Sequence, residues 1–167
     1  MTQDKFNAAI AQFDTAIAAA RTGDEAFKAL QALTEAVVGV KLFTFMSVDM
    51  AAELARRAYT SDPESYPVSG TKPLRYDSWF DIVHKARQYF VANTLEDISK
   101  VFPDYELIGS LGCGSVVNMP VVLGGELVGT LNMLHEEQYY TQERVELIRA
   151  YLSVPAKLAA AVALRAK

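Results

Sequence analysis

The 167-residue sequence has one cysteine, no long hydrophobic run and no cluster of basic residues. A single thiol, Cys113, excludes an internal disulfide and is typical of a reducing compartment. No run of about 18 apolar residues is present, and the N-terminus lacks the basic start and apolar segment of a signal peptide. We therefore expect a cytoplasmic protein with no membrane partner.

The charge of the sequence is weakly negative and evenly spread. There are 16 basic and 20 acidic residues, which give a net charge of -4, and Arg56-Arg57 is the one adjacent basic pair. This balance argues against nucleic acid as a partner. His84 and His135 are far apart and have no acidic or cysteine partner at metal-ligand spacing, so we expect no metal site and no cofactor, and treat both as structural or surface residues.

Hydrophobic residues make up 51% of the chain, which is enough for one domain with its own core. In residues 3–21, apolar residues recur every three or four positions, as on one face of a helix. They are Phe6, Ile10, Phe13, Ile17 and Ala20. Thr22 then caps a second helix with a similar stripe. We predict that residues 1–22 form an N-terminal helix that contacts a dimer partner, and that residues 23–167 form the domain proper.

The central part of the chain combines short strands with a long loop. Strand-forming residues predict strands at 41–49, 53–61 and 89–93. Between them, residues 62–78 contain three prolines, a glycine and three serines, which is the composition of a loop.

Three further helical segments are predicted from caps and apolar spacing. Asp77 or Ser78 caps a short helix, residues 95–102 form a helical turn, and Thr141 caps a long C-terminal helix with a kink at Pro155. Strands and helices do not alternate strictly in this order. The sequence therefore predicts an α+β fold with an antiparallel sheet rather than a doubly wound parallel sheet.

Residues 112–134 predict a β-hairpin around Gly124-Gly125. Side chains alternate between the two faces of a strand, and the odd-numbered positions form a wholly apolar set. Its members are Val117, Met119, Val121, Leu123, Leu127, Gly129, Leu131 and Met133. For this set to share one buried face, the hairpin needs an extra residue, which the LGGE turn can supply as a glycine bulge.

The register that satisfies this condition places Asn118 opposite Asn132 and Pro120 opposite Thr130. The second face then gathers two side-chain amides and a hydroxyl. Burying such a group without a partner costs roughly 1 to 3 kcal/mol. Either the asparagines tie the sheet to the loop that covers it, or they contact a ligand or pocket water.

The C-terminal half resembles a known family. The serine and apolar strand with a proline (GSVVNMPV), the glycine turn, the strand ELVGTLNML and the closing amphipathic helix are similar to the second half of a GAF domain. The resemblance covers residues 25–165. It implies an antiparallel GAF/PAS-like sheet of five or six strands, with N- and C-terminal helices on one face, often as a dimer bundle. A ligand pocket would lie on the other face, under loops and short helices.

Three specialised GAF branches are not matched. The sequence lacks the Asn-Lys and Asp-Glu adjacencies of cyclic-nucleotide members, and Cys113 is followed by Gly114 rather than by the histidine common in bilin-binding members. Free-methionine-sulfoxide reductases of this fold use several cysteines and carboxylates on the last two strands, where this chain has Val116, Asn132 and Leu134. We therefore expect none of these ligands or chemistries.

The candidate ligand-binding residues lie on the predicted strands and in the segment that covers them. Arg57 suits a carboxylate or phosphate and shares strand parity with Tyr59, and the aromatic residues suit the walls of a pocket. The full set is Arg57, Tyr59, Tyr66, Trp79, Phe90, Ser115, Asn118, Thr130 and Asn132. The alternatives are an exposed strand arginine, aromatic core residues, and a Ser115 hydroxyl bonded to backbone.

These features predict a small-molecule-binding sensor or regulatory GAF domain without catalytic residues. It would signal through homodimerisation by its terminal helices or through a partner protein, with ligand ordering residues 62–78. One alternative is a ligand-free protein interaction module. A second is a small-metabolite enzyme on the same scaffold that uses Arg57, Tyr59 or Cys113.

Overall fold

The computed structural model describes residues 2–166, so the outer ends of the two predicted units, Met1 and Lys167, lie outside the described residues. The helices are α1 (Gln3–Ala19), α2 (Gly23–Val37), α3 (Ser78–Phe80), α4 (Leu95–Ser99), α5 (Tyr105–Ser110), α6 (Gln142–Tyr151) and α7 (Ser153–Arg165), and a π-helical turn (Asp81–Lys85) continues α3. The strands are β1 (Leu42–Asp49), β2 (Leu54–Thr60), β3 (Lys72–Pro73), β4 (Phe90–Ala92), β5 (Ser115–Leu123) and β6 (Glu126–His135). They form one antiparallel sheet in the order β3-β2-β1-β6-β5-β4, which confirms the predicted α+β class.

The predicted helix starts are confirmed by their caps. The side-chain oxygens of Thr22, Asp77 and Thr141 each accept a hydrogen bond from a backbone N–H three residues later. The C-terminal kink lies at Leu152 rather than at Pro155. Because a proline ring clashes with the carbonyl four residues before it, the helix breaks in the preceding turn.

Helices α6 and α7 meet at this break with a bend of 50°. Within residues 2–166, no single helix has both the length and the apolar composition to cross a membrane, and α6 with α7 reaches these values only as a bent pair.

The terminal helices pack on one face of the sheet and form the main core. Phe27 of α2 stacks on Phe45 of β1 with ring centroids 4.3 Å apart, and Leu131 of β6 is fully buried in the same cluster. Burying each such side chain stabilises the fold by about 1.5 to 3 kcal/mol. On α1 the buried stripe includes Ala9, whereas the predicted member Ile10 is 39% exposed.

The predicted register of the β5–β6 hairpin is confirmed, but the extra residue lies in strand β6 rather than in the glycine turn. Asn118 pairs with Asn132 and Pro120 with Thr130. The turn itself has two residues, Gly124 and Gly125, with φ of +58° and +80°, which glycine adopts without strain.

The extra residue is Val128, which lies between the pairs Val121–Gly129 and Val122–Leu127. A one-residue bulge moves the following side chains to the opposite face. Leu127 therefore joins the cluster of Val48 and Leu74, and the prediction that it belongs to the helix-facing apolar set is wrong.

Candidate functional site

A cavity of about 410 Å³ lies on the sheet face opposite the terminal helices. Side chains of β1, β2, β5 and β6 form its floor, and residues 66–84 and 101–108 contribute to its cover. Pockets for small molecules typically have volumes of roughly 300 to 1,000 Å³, so this cavity suits a small molecule. Apolar groups dominate the lining, with a few polar groups among them.

A chain of hydrogen bonds crosses the floor. The Trp79 indole Nε1 donates to Asn118 Oδ1 at 2.9 Å, and Asn118 Nδ2 donates to Asn132 Oδ1 at 2.7 Å. Asn132 Nδ2 then donates to Thr44 Oγ1 at 3.2 Å. The predicted contact between the two asparagines is thus present, and a side chain from the cover is joined to it.

Trp79 sets the direction of the whole chain. An indole nitrogen is a donor only, so the Asn118 atom that faces it must be the amide oxygen. The Asn118 nitrogen then faces Asn132, and the Asn132 nitrogen faces Thr44. One donor from the cover therefore fixes both amide orientations in the sheet.

Two buried polar side chains that line the cavity have no hydrogen-bond partner within residues 2–166. They are Thr130, whose Oγ1 is unpaired, and His84, whose two ring nitrogens are both unpaired. Thr130 is 1% exposed and His84 is 6% exposed. Buried polar groups nearly always have partners, so these atoms are available to a bound molecule or to water.

His84 reaches the cavity because of the π-helical turn that follows α3. Its ring centroid is 4.9 Å from that of Trp79, although the two residues are five positions apart. In an α-helix of about 3.6 residues per turn such residues point in different directions, whereas the wider π turn brings them together. Burial lowers the pKa of His84, against the opposing influence of the Asp77 carboxylate, and so favours the neutral imidazole.

Arg57 and Tyr66 lie at the end of the cavity beneath the loop. Arg57 Nη1 donates to the Pro67 carbonyl at 2.9 Å, and its guanidinium lies 4.9 Å from the centroid of the Tyr66 ring. The Tyr66 hydroxyl donates to Asp104, which joins the loop to the segment between α4 and α5. Burial and this bond raise the pKa of Tyr66.

Tyr59 does not line the cavity with Arg57, because a bulge separates them. Phe45 pairs with Tyr59 and Met46 with Arg57, so Ala58 has no partner in the ladder. The bulge turns Tyr59 into the helix-facing core, where its hydroxyl donates to Gln31 Oε1 at 2.6 Å. Burial is the main cause that raises its pKa to about 12. The prediction that both residues face the pocket is wrong for Tyr59.

Phe90 and Ser115 also lie outside the cavity lining. Phe90 pairs with Asn118 and packs edge-on against Phe102 with centroids 6.2 Å apart; Phe102 lines the cavity and Phe90 does not. The Ser115 hydroxyl is buried and donates to the Glu136 carbonyl at 2.7 Å. This confirms the alternative of a bond to backbone.

The remaining predicted residues do line the cavity; they are Arg57, Tyr66, Trp79, Asn118, Thr130 and Asn132. Sequence reasoning missed His84 and Phe102. In an α-helix, His84 would not point in the same direction as Trp79, so the sequence spacing did not predict that it lines the cavity. The π turn changes this spacing. The aromatic character of the whole covering segment was the available signal for Phe102.

Cys113 is buried at 4% exposure, and burial raises the pKa of its thiol despite the positive charge of Lys41. A buried neutral thiol is a poor nucleophile. Among residues 2–166 there is no group of three or more histidine, cysteine or acidic side chains that could hold a metal ion.

The model of the GAF domain family matches residues 21–153. A comparison with curated proteins gave no match.

Solved structures with this fold include three that cover nearly the whole chain. The GAF domain of a phosphoenolpyruvate-protein phosphotransferase from Coxiella burnetii has a TM-score of 0.70 at 16% identity and covers 99% of this chain and 96% of its own. The phycoerythrobilin-bound GAF domain of a cyanobacterial phytochrome has a TM-score of 0.68 at 13% identity, covering 98% and 97%. Free methionine-R-sulfoxide reductase from Neisseria meningitidis, in complex with its substrate, has a TM-score of 0.67 at 16% identity, covering 99% and 93%. At these identities the likeness establishes the fold alone.

Proposed function

The chain belongs to the GAF domain family, and on this premise we propose that it binds a small molecule in the cavity and acts as a sensor or regulatory domain without catalytic activity. The observation that carries the proposal is the pair of unpartnered polar side chains, Thr130 and His84, on opposite walls of one cavity. In a collapsed core each of them left unpaired would cost roughly 1 to 3 kcal/mol. A ligand that bonds to both would remove this cost.

The chemistry of the lining supports binding rather than turnover. Cys113 is buried with a raised thiol pKa and is not one of the residues that line the cavity. His84 has no hydrogen bond within the described chain to a carboxylate that would orient it as a general base. Two of the compared structures, the phytochrome domain and the reductase, contain small molecules, which further supports binding on this fold.

The loop over the cavity is the proposed responsive element. Two hydrogen bonds attach it to the floor: the Ser69 N–H donates to the Arg57 carbonyl, and the Arg57 N–H donates to the Ser69 hydroxyl oxygen. The bond from the Tyr66 hydroxyl to Asp104 attaches it to the segment before α5. A ligand that contacts these side chains stabilises the attached state and shifts the population towards it. Hydrogen exchange in residues 62–78 should slow on binding, and unchanged exchange at saturation would refute this mechanism.

The proposed signalling unit is a homodimer through the terminal helices. Large apolar side chains remain exposed on the terminal helices: Val154 is 64% exposed, Leu158 45% and Leu164 45% on α7, and Ile10 is 39% exposed on α1. A second copy would cover them. In native mass spectrometry we expect a mass of twice the chain, and Leu158→Glu should return the monomer.

The binding proposal is tested by the protein as purified from cells. Native mass spectrometry should detect a small-molecule adduct, and a thermal-shift screen of metabolites should find compounds that raise the melting temperature. The variant Asn132→Leu, which blocks the floor, should lose the adduct. A bare mass together with a screen that raises no melting temperature would refute the proposal.

A further inference from the structure

The floor of the cavity has hydrogen-bond donors that the side chains of residues 2–166 leave unused. Since Trp79 fixes the direction of the chain, the oxygens of Asn118 and Asn132 each already accept one bond. Each amide nitrogen has two hydrogens, and within residues 2–166 it donates one of them. One N–H of each asparagine and the hydroxyl of Thr130 therefore remain for a molecule in the cavity.

Arg57 adds a positive charge with most of its donors free. A guanidinium has five N–H donors in a planar fork that matches a carboxylate, and the bond to Pro67 uses one of them. In the described part of the chain, no acidic side chain forms a salt bridge with Arg57. Its stacking on Tyr66 holds the group at the cavity without neutralising it.

The two carboxylates that line the cavity are already engaged. Asp104 accepts the hydroxyl of Tyr66, and Asp77 accepts a backbone N–H at its helix cap and pairs with a neighbouring arginine at 3.5 Å. Within residues 2–166, Arg57 and the exposed Lys72 are the lining cations without a carboxylate partner. The cavity lining carries three cations, Arg57, Lys72 and Arg75, against these two carboxylates, so its net charge favours an anion.

The sheet register brings Arg57 close to the free donors of the floor. Arg57 and Thr130 flank Met46 in one row across three strands, and Asn132 lies in the next row. Adjacent strands are about 4.8 Å apart, so the Cα atoms of Arg57 and Thr130 are separated by about 10 Å. A group placed over Met46 lies between the backbone positions of Arg57 and Thr130.

Building on the proposed function, we propose that the ligand is a small carboxylic acid bound as its monoanion. Arg57 holds the carboxylate together with the free donors of Thr130 and Asn132, and an apolar body packs against Trp79 and Phe102. In the described chain, Arg57 is the one guanidinium of the floor, and Lys72, the other lining cation without a carboxylate partner, is exposed to solvent, so the floor itself matches one negative charge. A phosphate dianion would bring a second charge into a largely apolar lining.

Trp79 is the one tryptophan of the chain, so its fluorescence reports directly on the cavity. We would titrate the protein with phenylacetate and 4-methylpentanoate, and with the neutral amides of the same two acids, which differ only in the group that meets Arg57. Inorganic phosphate tests the other anion class. Each acid should bind about tenfold or more tightly than its amide, because hydrogen bonds to charged groups are the stronger ones.

Arg57→Met removes the charge and keeps most of the apolar stem. It should weaken acid binding by about tenfold to 100-fold and amide binding by much less, because the amide carbonyl accepts only a neutral hydrogen bond from Arg57. Arg56→Met is the matched control, since Arg56 is the exposed neighbour on β2 and does not line the cavity. Circular dichroism establishes that both variants are folded, and the comparison of acid with amide on the unaltered protein does not depend on either.

The outcomes separate this inference from the proposed function. Equal affinities for acids and amides, tighter binding of phosphate, or a neutral adduct in native mass spectrometry would overturn the carboxylate inference while a small-molecule sensor stands. No adduct and no binding by any probe would overturn both.

Discussion

The substitution Asn118→Leu tests the hydrogen-bonded floor most directly. Leucine has the same number and branching of side-chain heavy atoms but removes the acceptor of the Trp79 indole and the donor to the Asn132 amide oxygen. Asn118 is 2% exposed, so bulk water does not reach the vacated position. We expect the variant to be less stable than the unaltered protein, although leucine is the more apolar residue.

The magnitude follows from the two groups that lose their partner. Each stranded buried group costs roughly 1 to 3 kcal/mol. Burying leucine in place of the amide stabilises the folded state by about 2 kcal/mol. Water in the cavity can hydrogen-bond to the half-buried Trp79 and Asn132, which reduces the loss of stability further. At the midpoints the two groups cost about 4 kcal/mol and leucine returns about 2, so after the water offset the free energy of unfolding should fall by about 1 to 2 kcal/mol.

Urea unfolding followed by circular dichroism measures this change without relying on the fluorescence of Trp79. The double variant Asn118→Leu with Asn132→Leu is the control, because it removes both amides and should lose less stability than the sum of the two single variants. An Asn118→Leu protein as stable as the unaltered one would refute the argument. It would also favour the ligand-free interaction module over the sensor.

Three further predictions concern the cavity wall, its histidine and the sheet. Thr130→Val replaces an unpartnered buried hydroxyl with a methyl group, so it should raise the free energy of unfolding by about 1 kcal/mol while weakening ligand binding in the fluorescence titration. Burial lowers the pKa of His84 below its ordinary 6.5, so the unfolded chain takes up the proton first and stability falls as the pH drops below about 6.5. His84→Leu should therefore lose less stability than the unaltered protein between about pH 7 and pH 5 in urea titrations, and an identical loss would contradict a buried neutral imidazole. Gly129→Ala places a Cβ 2.5 Å from the Phe45 ring and should cost about 1 to 3 kcal/mol, whereas Gly70→Ala meets open space and serves as the thermal-unfolding control.

The sequence was sufficient to predict the pairing of the hairpin. Strand side chains alternate with a period of two, and burial of the apolar set allows one parity of register. The short glycine turn then selects the register with Asn118 opposite Asn132, which the structure confirms. The same local rules predicted the caps at Thr22, Asp77 and Thr141, because a short polar side chain before an apolar stripe satisfies the first free N–H groups of a helix. These features depend on neighbours along the chain or on a single strand pair.

Single-residue insertions were beyond the reach of the sequence pattern. The bulge at Ala58 places Tyr59 in the helix-facing core while Arg57 lines the cavity. The extra residue Val128 moves the Leu127 side chain to the opposite face of the sheet. A bulge is fixed by pairing with a distant strand, and each one exchanges the faces of the residues that follow. The alternation of side chains within one strand does not reveal where a bulge lies.

The sequence by itself determined the two-layer α+β arrangement and the amides of the cavity floor, because both follow from the periodicity of apolar residues. The tertiary structure alone decided which polar groups the cavity leaves free. The Trp79 bond to Asn118 joins residues 39 positions apart, and the π turn that brings His84 to the cavity is not visible in helical spacing. Whether a buried donor has a partner depends on which distant side chains are packed beside it, and that is a property of the folded chain.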